Sequence, residues 1–443
     1  MVVFSWAGWK AWGFSVIVAA GLTGWVELAA AAALQQPEEA TRTDFNAWKT
    51  PEPLRQDWPW WRGPNFDGSS PSAEAPLKWS ADENIAWSVD IPGRGNASPT
   101  VVGEAIYLPS CDESTGAQSV YCFDRATGKQ RWTTEVHASG AMRKNERSTG
   151  ASATISCDGE RLYVNFPTGG AVFTTALSLE GKILWQRRID DYKMHQGYGS
   201  SPTLYRDLVL VVADHKGGGK LVALRRADGE VVWERERPEM ASYPTPVVYR
   251  LYDRDQLILI GCEKVCSFDP LSGETLWEAP HSTTECVTTT VTDGKHVYSS
   301  GGFPKNHIAA IKTDGTGELA WENGDRAYVP SMLLRDGYLY VVLDAGIAKC
   351  FKSDTGEEMW KQRLKGEFSS SPVLVGKLIY VTNEEGETFI HEATPEGYRE
   401  LGRNKLGSEC FATPAICGGR IYFRVAFEVE GRRQEKLICV GPG

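Results

Sequence analysis

The sequence predicts an all-β protein, an eight-bladed β-propeller of four-stranded antiparallel blades, on three observations. A phrase of two strands joined by a tight turn recurs along the chain, as in SPTVVGEAIYL and SPVLVGKLIYV. A second phrase follows, with a turn glycine four residues before a tryptophan, as at Gly128 and Trp132. The unit repeats roughly every 40 to 55 residues, the period of propeller blades.

The second phrase is clearest in CFDRATGKQRW, residues 122–132, which reads as strand, turn and strand. Its glycine supplies the positive φ that a tight turn needs. In the seventh unit Leu401 stands where the spacing places a tryptophan. The repeated tryptophans are interpreted as packing residues between blades, and they are Trp87, Trp132, Trp185, Trp233, Trp277, Trp321 and Trp360.

The eighth unit ends with its third strand, at residues 437–440, and no fourth strand follows. An isolated strand at residues 84–91, which carries Trp87, precedes the first unit. Closing eight units radially buries the edges and faces that a linear stack would expose. We therefore expect this N-terminal strand to complete the last blade and to close the ring through backbone hydrogen bonds.

Three segments are predicted. Residues 1–33 contain an apolar run that ends in five alanines, and this pattern favours a cleaved signal peptide. The alternative is an uncleaved membrane anchor. Glu27 within the run disfavours the anchor, because a carboxylate is costly in the hydrocarbon core of a membrane. Residues 34–83 read as a linker and a tryptophan-rich docking segment, WPWWRGP at 58–64. Residues 84–443 form the propeller.

Composition limits the classes of binding partner and the disulfide bonds to be expected. The 47 basic and 57 acidic residues leave a net charge of −10, which argues against nucleic acid or an anionic membrane as the main partner. The ten cysteines include no adjacent pair. Cys122 and Cys350 fall at a position that favours a small buried residue. A bridge between Cys111 and Cys122 is the alternative in an oxidising compartment.

The second phrase, seen as CFDRATGKQRW, ALRRADGEVVW, SFDPLSGETLW and CFKSDTGEEMW, resembles the quinoprotein-type tryptophan-docking repeat, from residue 84 to the end. WPWWRGP is similar to a segment of secreted bacterial proteins that carry this repeat. The resemblance implies a PQQ-like propeller. Such propellers include the pyrroloquinoline-quinone (PQQ) alcohol and sugar dehydrogenases, and the periplasmic, non-enzymatic scaffold subunit of the outer-membrane β-barrel assembly machinery.

The dehydrogenases of this group carry a pair of adjacent, bonded cysteines, calcium ligands and a catalytic aspartate. This sequence has no adjacent cysteine pair, and no position matches that aspartate. The prediction is an exported non-catalytic binding or scaffold protein, periplasmic or secreted, with no cofactor and no catalytic residue. The alternatives are a PQQ-dependent oxidoreductase of alcohol or sugar dehydrogenase type, with PQQ and calcium, and a polysaccharide-binding or lyase-type propeller.

Function is expected at the channel mouth, where the loops that precede each innermost strand meet the loops between second and third strands. We expect a protein partner or a polar or glycan ligand there, no nucleic acid, and membrane contact only through an uncleaved N-terminal segment. No metal is predicted, since His195, His215 and Asp214 lack metal-ligand spacing. The candidate ligand-binding residues are Arg94, Asn96, Arg147, His195, Tyr198, Tyr243, Glu285, Tyr328 and Glu409.

Overall fold

The structure is a computed structural model that describes residue 47, residues 50–142 and residues 145–442. It contains eight four-stranded antiparallel sheets, which confirms the predicted all-β, eight-bladed propeller. Within these residues the helical content is one 3-10 turn, Glu52–Leu54, and no helix reaches the length and apolarity that a membrane crossing requires. The predicted signal peptide, residues 1–33, lies outside the described residues.

The first seven blades are each built from four consecutive strands. The first strand of each is largely buried, and the fourth alternates with solvent, so the strands run from the channel outward. Blades one to four comprise β2 (Thr100–Val102), β3 (Ala105–Cys111), β4 (Gln118–Asp124) and β5 (Gln130–His137); β6 (Ser156–Cys157), β7 (Arg161–Thr168), β8 (Ala171–Ser178) and β9 (Ile183–Asp191); β10 (Thr203–Tyr205), β11 (Leu208–Val212), β12 (Gly219–Arg225) and β13 (Val231–Arg237); and β14 (Val247–Leu251), β15 (Arg254–Gly261), β16 (Lys264–Phe268) and β17 (Thr275–Ala279).

The next three blades follow the same order of strands. They comprise β18 (Val291–Thr292), β19 (His296–Gly301), β20 (His307–Lys312) and β21 (Leu319–Asn323); β22 (Leu333–Arg335), β23 (Tyr338–Leu343), β24 (Ile347–Lys352) and β25 (Glu358–Arg363); and β26 (Val373–Val375), β27 (Leu378–Thr382), β28 (Glu387–Glu392) and β29 (Glu400–Lys405).

Blade eight joins the two ends of the propeller. It contains β30 (Ala415–Cys417), β31 (Arg420–Val429) and β32 (Arg432–Val440), and its outermost strand is β1 (Ile85–Ile91). β1 pairs antiparallel with β32, with Trp87 opposite Cys439 and Ile91 opposite Glu435. The prediction that an N-terminal strand closes the last blade is confirmed.

Neighbouring blades are joined by an indole that covers a glycine. Trp87 of blade eight donates its Nε1 hydrogen to the Arg125 carbonyl of blade one at 3.1 Å. A Cβ on Gly128 would lie 2.5 Å from the Trp87 ring, and this glycine has a φ of +72°. Its turn therefore requires glycine for both conformation and space. The same contact joins Trp132 to Gly181, Trp185 to Gly229, Trp233 to Gly273 and Trp321 to Gly356.

The turn between β20 and β21 departs from this pattern. Lys312 N bonds the carbonyl of Glu318, one residue further along the chain than the corresponding bond in blade one. Trp277, from the preceding blade, donates instead to Gln256 Oε1 within its own blade, at 2.8 Å. The longer turn thus changes the hydrogen-bond partner of one indole but leaves the propeller closed.

Blade seven corrects one expectation. Gly402, not Leu401, takes the tryptophan position, because it pairs with Ile390 as Trp132 pairs with Cys122 in blade one. Leu401 is the bulged residue before it and is 39% exposed. The prediction that Leu401 replaces the tryptophan was wrong. The loop between β28 and β29 is two residues longer than its counterpart in blade one, and this difference shifts the register of strand pairing.

Trp79 fills the junction of blades seven and eight from a different part of the chain. It is buried, its backbone N–H donates to Asn404 Oδ1 at 3.0 Å, and its ring lies 5.8 Å from that of Phe423. A Cβ on Gly402 would lie 2.8 Å from the Leu77 carbonyl oxygen. The segment before β1 therefore covers the site where blade seven brings no tryptophan of its own.

All ten cysteines are buried. Cys122 and Cys350 are thiols opposite Trp132 and Trp360, and burial raises the pKa of each to about 12. Cys111 pairs with Gln118 at one end of the β3–β4 ladder, whereas Cys122 lies near the other end. This register separates the two cysteines that were considered for a bridge.

We expect Trp87→Ala to destabilise the fold by about 2 kcal/mol, because it removes the half-buried indole that joins the last blade to the first. Urea unfolding measures the change in the free energy of unfolding. Leu184→Ala, on the outer strand of blade two and 43% exposed, is the control and should change little. Equal losses in both variants would contradict the role given to Trp87.

His391 predicts a pH-dependent stability. Burial lowers its pKa to about 4, and its ring packs against Trp360 and Tyr398. In the unfolded chain its pKa is about 6.5. The unfolded state therefore binds the proton more strongly between these values, and stability is lost as pH falls from about 6.5 towards 4.

Lowering the pH from 7 to 5 should cost about 2 kcal/mol through His391 alone. The variant His391→Gln carries no titratable ring, so its free energy of unfolding should fall less over this interval. Urea titrations at both pH values check the difference. Parallel declines in the two proteins would refute it.

Candidate functional site

A cavity of about 920 Å³ occupies the channel and opens at one face. All eight loops that precede an innermost strand contribute to its wall. One wall residue from each loop, in blade order, is Asn96, Arg147, His195, Tyr243, Glu285, Tyr328, Ser369 and Phe411. The cavity therefore depends on the closed ring, since sequence-distant loops meet only there.

Seven of the nine predicted candidates line this cavity: Asn96, Arg147, His195, Tyr198, Tyr243, Glu285 and Tyr328. Arg94 and Glu409 do not line it. The side chain of Arg94 donates to the Glu146 carbonyl at 2.7 Å, and that of Glu409 binds Arg433. Each is engaged within the surrounding loops and strands.

Tyr198 is only 4% exposed, so it stabilises the cavity wall and offers little surface to a ligand. Its hydroxyl donates to the Val212 carbonyl at 3.0 Å and accepts a hydrogen bond from Asn165 Nδ2 at 3.1 Å. These bonds fasten the loop before blade three to the strands beside it.

Glu285 is the most enclosed carboxylate of the wall, with a side chain that is 4% exposed. His195 Nε2 lies 3.0 Å from one of its oxygens, and the Tyr328 hydroxyl donates to the other at 3.0 Å. Burial first, and then the charge of Glu285, raises the pKa of Tyr328, which keeps this hydroxyl a donor at neutral pH. Three loops are thus joined through one carboxylate.

The floor of the cavity is Trp61, which the sequence did not single out from its neighbours as a wall residue. Its Nε1 hydrogen bonds Thr289 Oγ1 at 2.7 Å. The segment around it crosses the end of the channel. Trp58 exchanges backbone bonds with Val101 at 2.9 Å, and the Pro59 carbonyl accepts from Cys157 N at 2.8 Å.

Arg62 fixes this segment to the far side of the ring. It is 1% exposed and donates to the carbonyls of Met332, of Pro372 at 3.2 Å and of Asp67 at 2.9 Å. Burial lowers its pKa to about 10, so it remains charged at neutral pH. Beyond it, Ser70 Oγ donates to a blade-eight carbonyl at 2.6 Å. Residues 57–72 therefore contact blades one, two, five, six, seven and eight.

The described residues contain no group of three or more His, Cys, Asp and Glu side chains placed to hold a metal ion. Asp214 is bound by Arg237 at 2.9 and 3.1 Å, while His195 binds Glu285. His215 lies 3.8 Å from Asp190 instead. His195, Asp214 and His215 therefore do not converge on one metal position.

Comparison with known proteins identifies a family. A family model described as outer membrane protein assembly factor BamB matches residues 77–195, 116–353, 304–399 and 344–428, and so spans most of the chain. The proteins of this description from Bordetella pertussis and Burkholderia pseudomallei are each 24% identical to the chain. The alignments cover 74% of this chain and 81% of the first protein, and 77% and 85% for the second.

Solved structures show the same fold. BamB from Moraxella catarrhalis superposes with a TM-score of 0.57 at 14% identity, over 79% of this chain and 98% of that one. Quinohemoprotein alcohol dehydrogenase from Comamonas testosteroni superposes with a TM-score of 0.63 at 13% identity, over 88% and 81%. At these identities the likeness concerns architecture alone, which hosts both scaffolds and enzymes.

We expect Arg62→Ala to lower the free energy of unfolding by about 3 kcal/mol, because it leaves buried carbonyls without their charged donor. Arg55→Ala is the matched control: this arginine lies two residues before the segment, and its side chain is 48% exposed. Chemical denaturation of the two variants provides the measurement. A loss in Arg62→Ala no larger than in Arg55→Ala would show that the segment does not depend on this residue.

Proposed function

We propose that this chain, which belongs to the family described as outer membrane protein assembly factor BamB, is an exported, non-catalytic scaffold that works in the periplasm during the assembly of outer-membrane proteins. The observation that carries the proposal is the family match, which runs from residue 77 to residue 428 and so includes strands of all eight blades. Agreement over the whole ring supports a shared role better than a match to one repeat.

The geometry of the site supports binding. Eight loops from eight blades converge on one open cavity, and ion pairs and hydrogen-bonded aromatic side chains fix their relative positions. Such a wall presents a surface of mixed polar and apolar side chains without requiring a loop to move. A preformed surface lowers the ordering cost of association, as a scaffold requires.

The predicted leader at residues 1–33 supports the proposal of export. The net charge of −10 disfavours an anionic membrane surface as the main partner, and the family match supports protein partners. An acidic body also disfavours nonspecific association with nucleic acid.

The test is affinity capture of the tagged full chain from solubilised envelopes of its source organism. We expect enrichment of an integral outer-membrane β-barrel assembly protein, identified by mass spectrometry. A variant that lacks residues 2–33 should remain in the cytoplasm and capture none, which makes it the control. Capture of no assembly protein by the exported, folded chain would overturn the proposal.

A second measurement addresses catalysis directly. The purified protein, incubated with PQQ and calcium and passed through gel filtration, should retain no quinone absorbance and should reduce no dye with alcohols or aldoses. Retained quinone with turnover would make the protein an oxidoreductase and contradict the non-catalytic assignment.

A further inference from the structure

A groove of about 690 Å³ lies between blades one and two, on the face of the ring opposite the cavity mouth. The β2–β3 and β6–β7 hairpins and the turn between β8 and β9 border it, and they lie at the ends of the strands away from the cavity loops. Its apolar lining comes from both blades and from the segment before β1, through Leu54, Val102, Tyr107, Trp132 and Leu179. The groove is therefore a second concave surface, separate from the cavity.

Tyr107 brings a buried hydroxyl group without a partner to this groove. The residue is 3% exposed, and within the described residues its hydroxyl group makes no hydrogen bond. Tyrosines at the same position of the second strand in four other blades have partners: Tyr163 bonds Asp158, Tyr298 bonds Asp293, Tyr380 bonds the Ala75 carbonyl, and Tyr422 bonds Arg125. Buried tyrosine hydroxyls ordinarily find a partner, so Tyr107 offers an unused donor to a ligand in the groove.

Blade seven shows which kind of group meets a tyrosine at this position. There the segment before β1 lies across the blade, and its Ala75 carbonyl accepts the hydrogen bond of Tyr380 at 3.1 Å. A Cβ on Gly376, in the turn of the β26–β27 hairpin, would overlap the Ala73 carbonyl oxygen. Gly103 holds the same place in the β2–β3 hairpin, and the position of its Cβ has nothing within 4 Å. Polypeptide backbone therefore covers in blade seven a position that is open in blade one.

The rim of the groove is acidic. Glu104 lies on the β2–β3 hairpin and Glu180 on the turn between β8 and β9, so each blade contributes one carboxylate. Within the described part of the chain neither of them forms an ion pair. Among the described residues that line the groove, Arg131 is the one cation, and it binds Asp124 at 2.6 Å. Unpaired carboxylates beside an apolar lining favour a ligand whose basic groups flank an apolar one.

We propose that the groove between blades one and two binds an extended segment of a partner polypeptide, in which a backbone carbonyl accepts the hydrogen bond of Tyr107 and basic side chains flank an apolar one. The proposal rests on the protein-binding function proposed above and adds a docking surface away from the cavity. The apolar side chain packs on Trp132 and Leu179, and the basic side chains face Glu104 and Glu180. Grooves that bind extended chains use the main chain for affinity and alternate side chains for specificity.

The test uses the full chain and two labelled heptapeptides, acetylated and amidated, in which a Val-Leu-Val centre is flanked by pairs of lysines or pairs of glutamates. Fluorescence anisotropy measures their affinities. We expect the lysine peptide to bind about tenfold more tightly, because the two unpaired carboxylates attract its side chains and repel those of the glutamate peptide. A preference for the glutamate peptide, or no saturable binding of the lysine peptide, would overturn the proposal.

Tyr107→Phe removes the donor and keeps the aromatic ring. We expect this variant to bind the lysine peptide about fivefold more weakly and to keep the Tm of the parent, because the lost hydroxyl group has no partner in the described fold. Tyr298→Phe is the matched control: its hydroxyl donates to Asp293 at 2.7 Å in blade five, so the variant should lose stability and keep its affinity for the peptide. Unchanged peptide binding by Tyr107→Phe would overturn the proposal.

Charge reversal locates the bound peptide on the ring. The double variant Glu104→Lys, Glu180→Lys should prefer the glutamate peptide. The control, Glu274→Lys with Glu357→Lys, makes the same change in net charge on exposed turns of blades four and six, and it should keep the preference for lysine. An equal shift of preference in both double variants would show that net charge, not the groove, selects the peptide, and would overturn the proposal.

Sedimentation velocity distinguishes a partner segment from a second copy of this chain. We expect a monomer at the concentrations used for anisotropy; a dimer that the lysine peptide dissociates would assign the groove to a second copy and overturn the proposal. The peptide measurements need no assembly complex. Failure of the envelope capture with intact, Tyr107-dependent peptide binding would therefore reject the assembly scaffold alone, and successful capture without peptide binding would reject the groove alone.

Discussion

The packing of an indole on the glycine turn of the next blade is the interaction on which the rest of this structure depends. Trp87 over Gly128 is its decisive instance, because that contact joins the last blade to the first. Glycine is needed there for its positive φ and because a Cβ would enter the ring of the tryptophan. In blade seven Gly402 occupies the tryptophan position, and Trp79 covers the junction instead.

The segment before β1 gives the ring its second constraint. A propeller encloses a central channel, and here residues 57–72 cross that channel. Arg62 satisfies carbonyls of blades six and seven, while Trp61 becomes the floor of the cavity. The cavity is therefore a pocket open at one face, and any ligand must be recognised by the loops around that face.

The charged side chains of those loops are paired with side chains from other loops. Glu285 is held by His195 and Tyr328, and the blade-seven carboxylates are held by Arg147. Buried carboxylates are stable only when paired or hydrogen-bonded, so the wall retains its charges through contacts between loops.

The sequence by itself determined the eight units, the strand pairs and the closure by residues 84–91, because alternation, turn glycines and repeat spacing are local features of the chain. It also placed most of the cavity wall, since the loops before innermost strands must share one face. Only the tertiary structure decided that Arg94 and Glu409 bind elsewhere, that Gly402 rather than Leu401 takes the tryptophan position, and that Arg147 meets Glu367. Those outcomes depend on loop lengths and on contacts between residues as far as 220 positions apart, which no local pattern encodes.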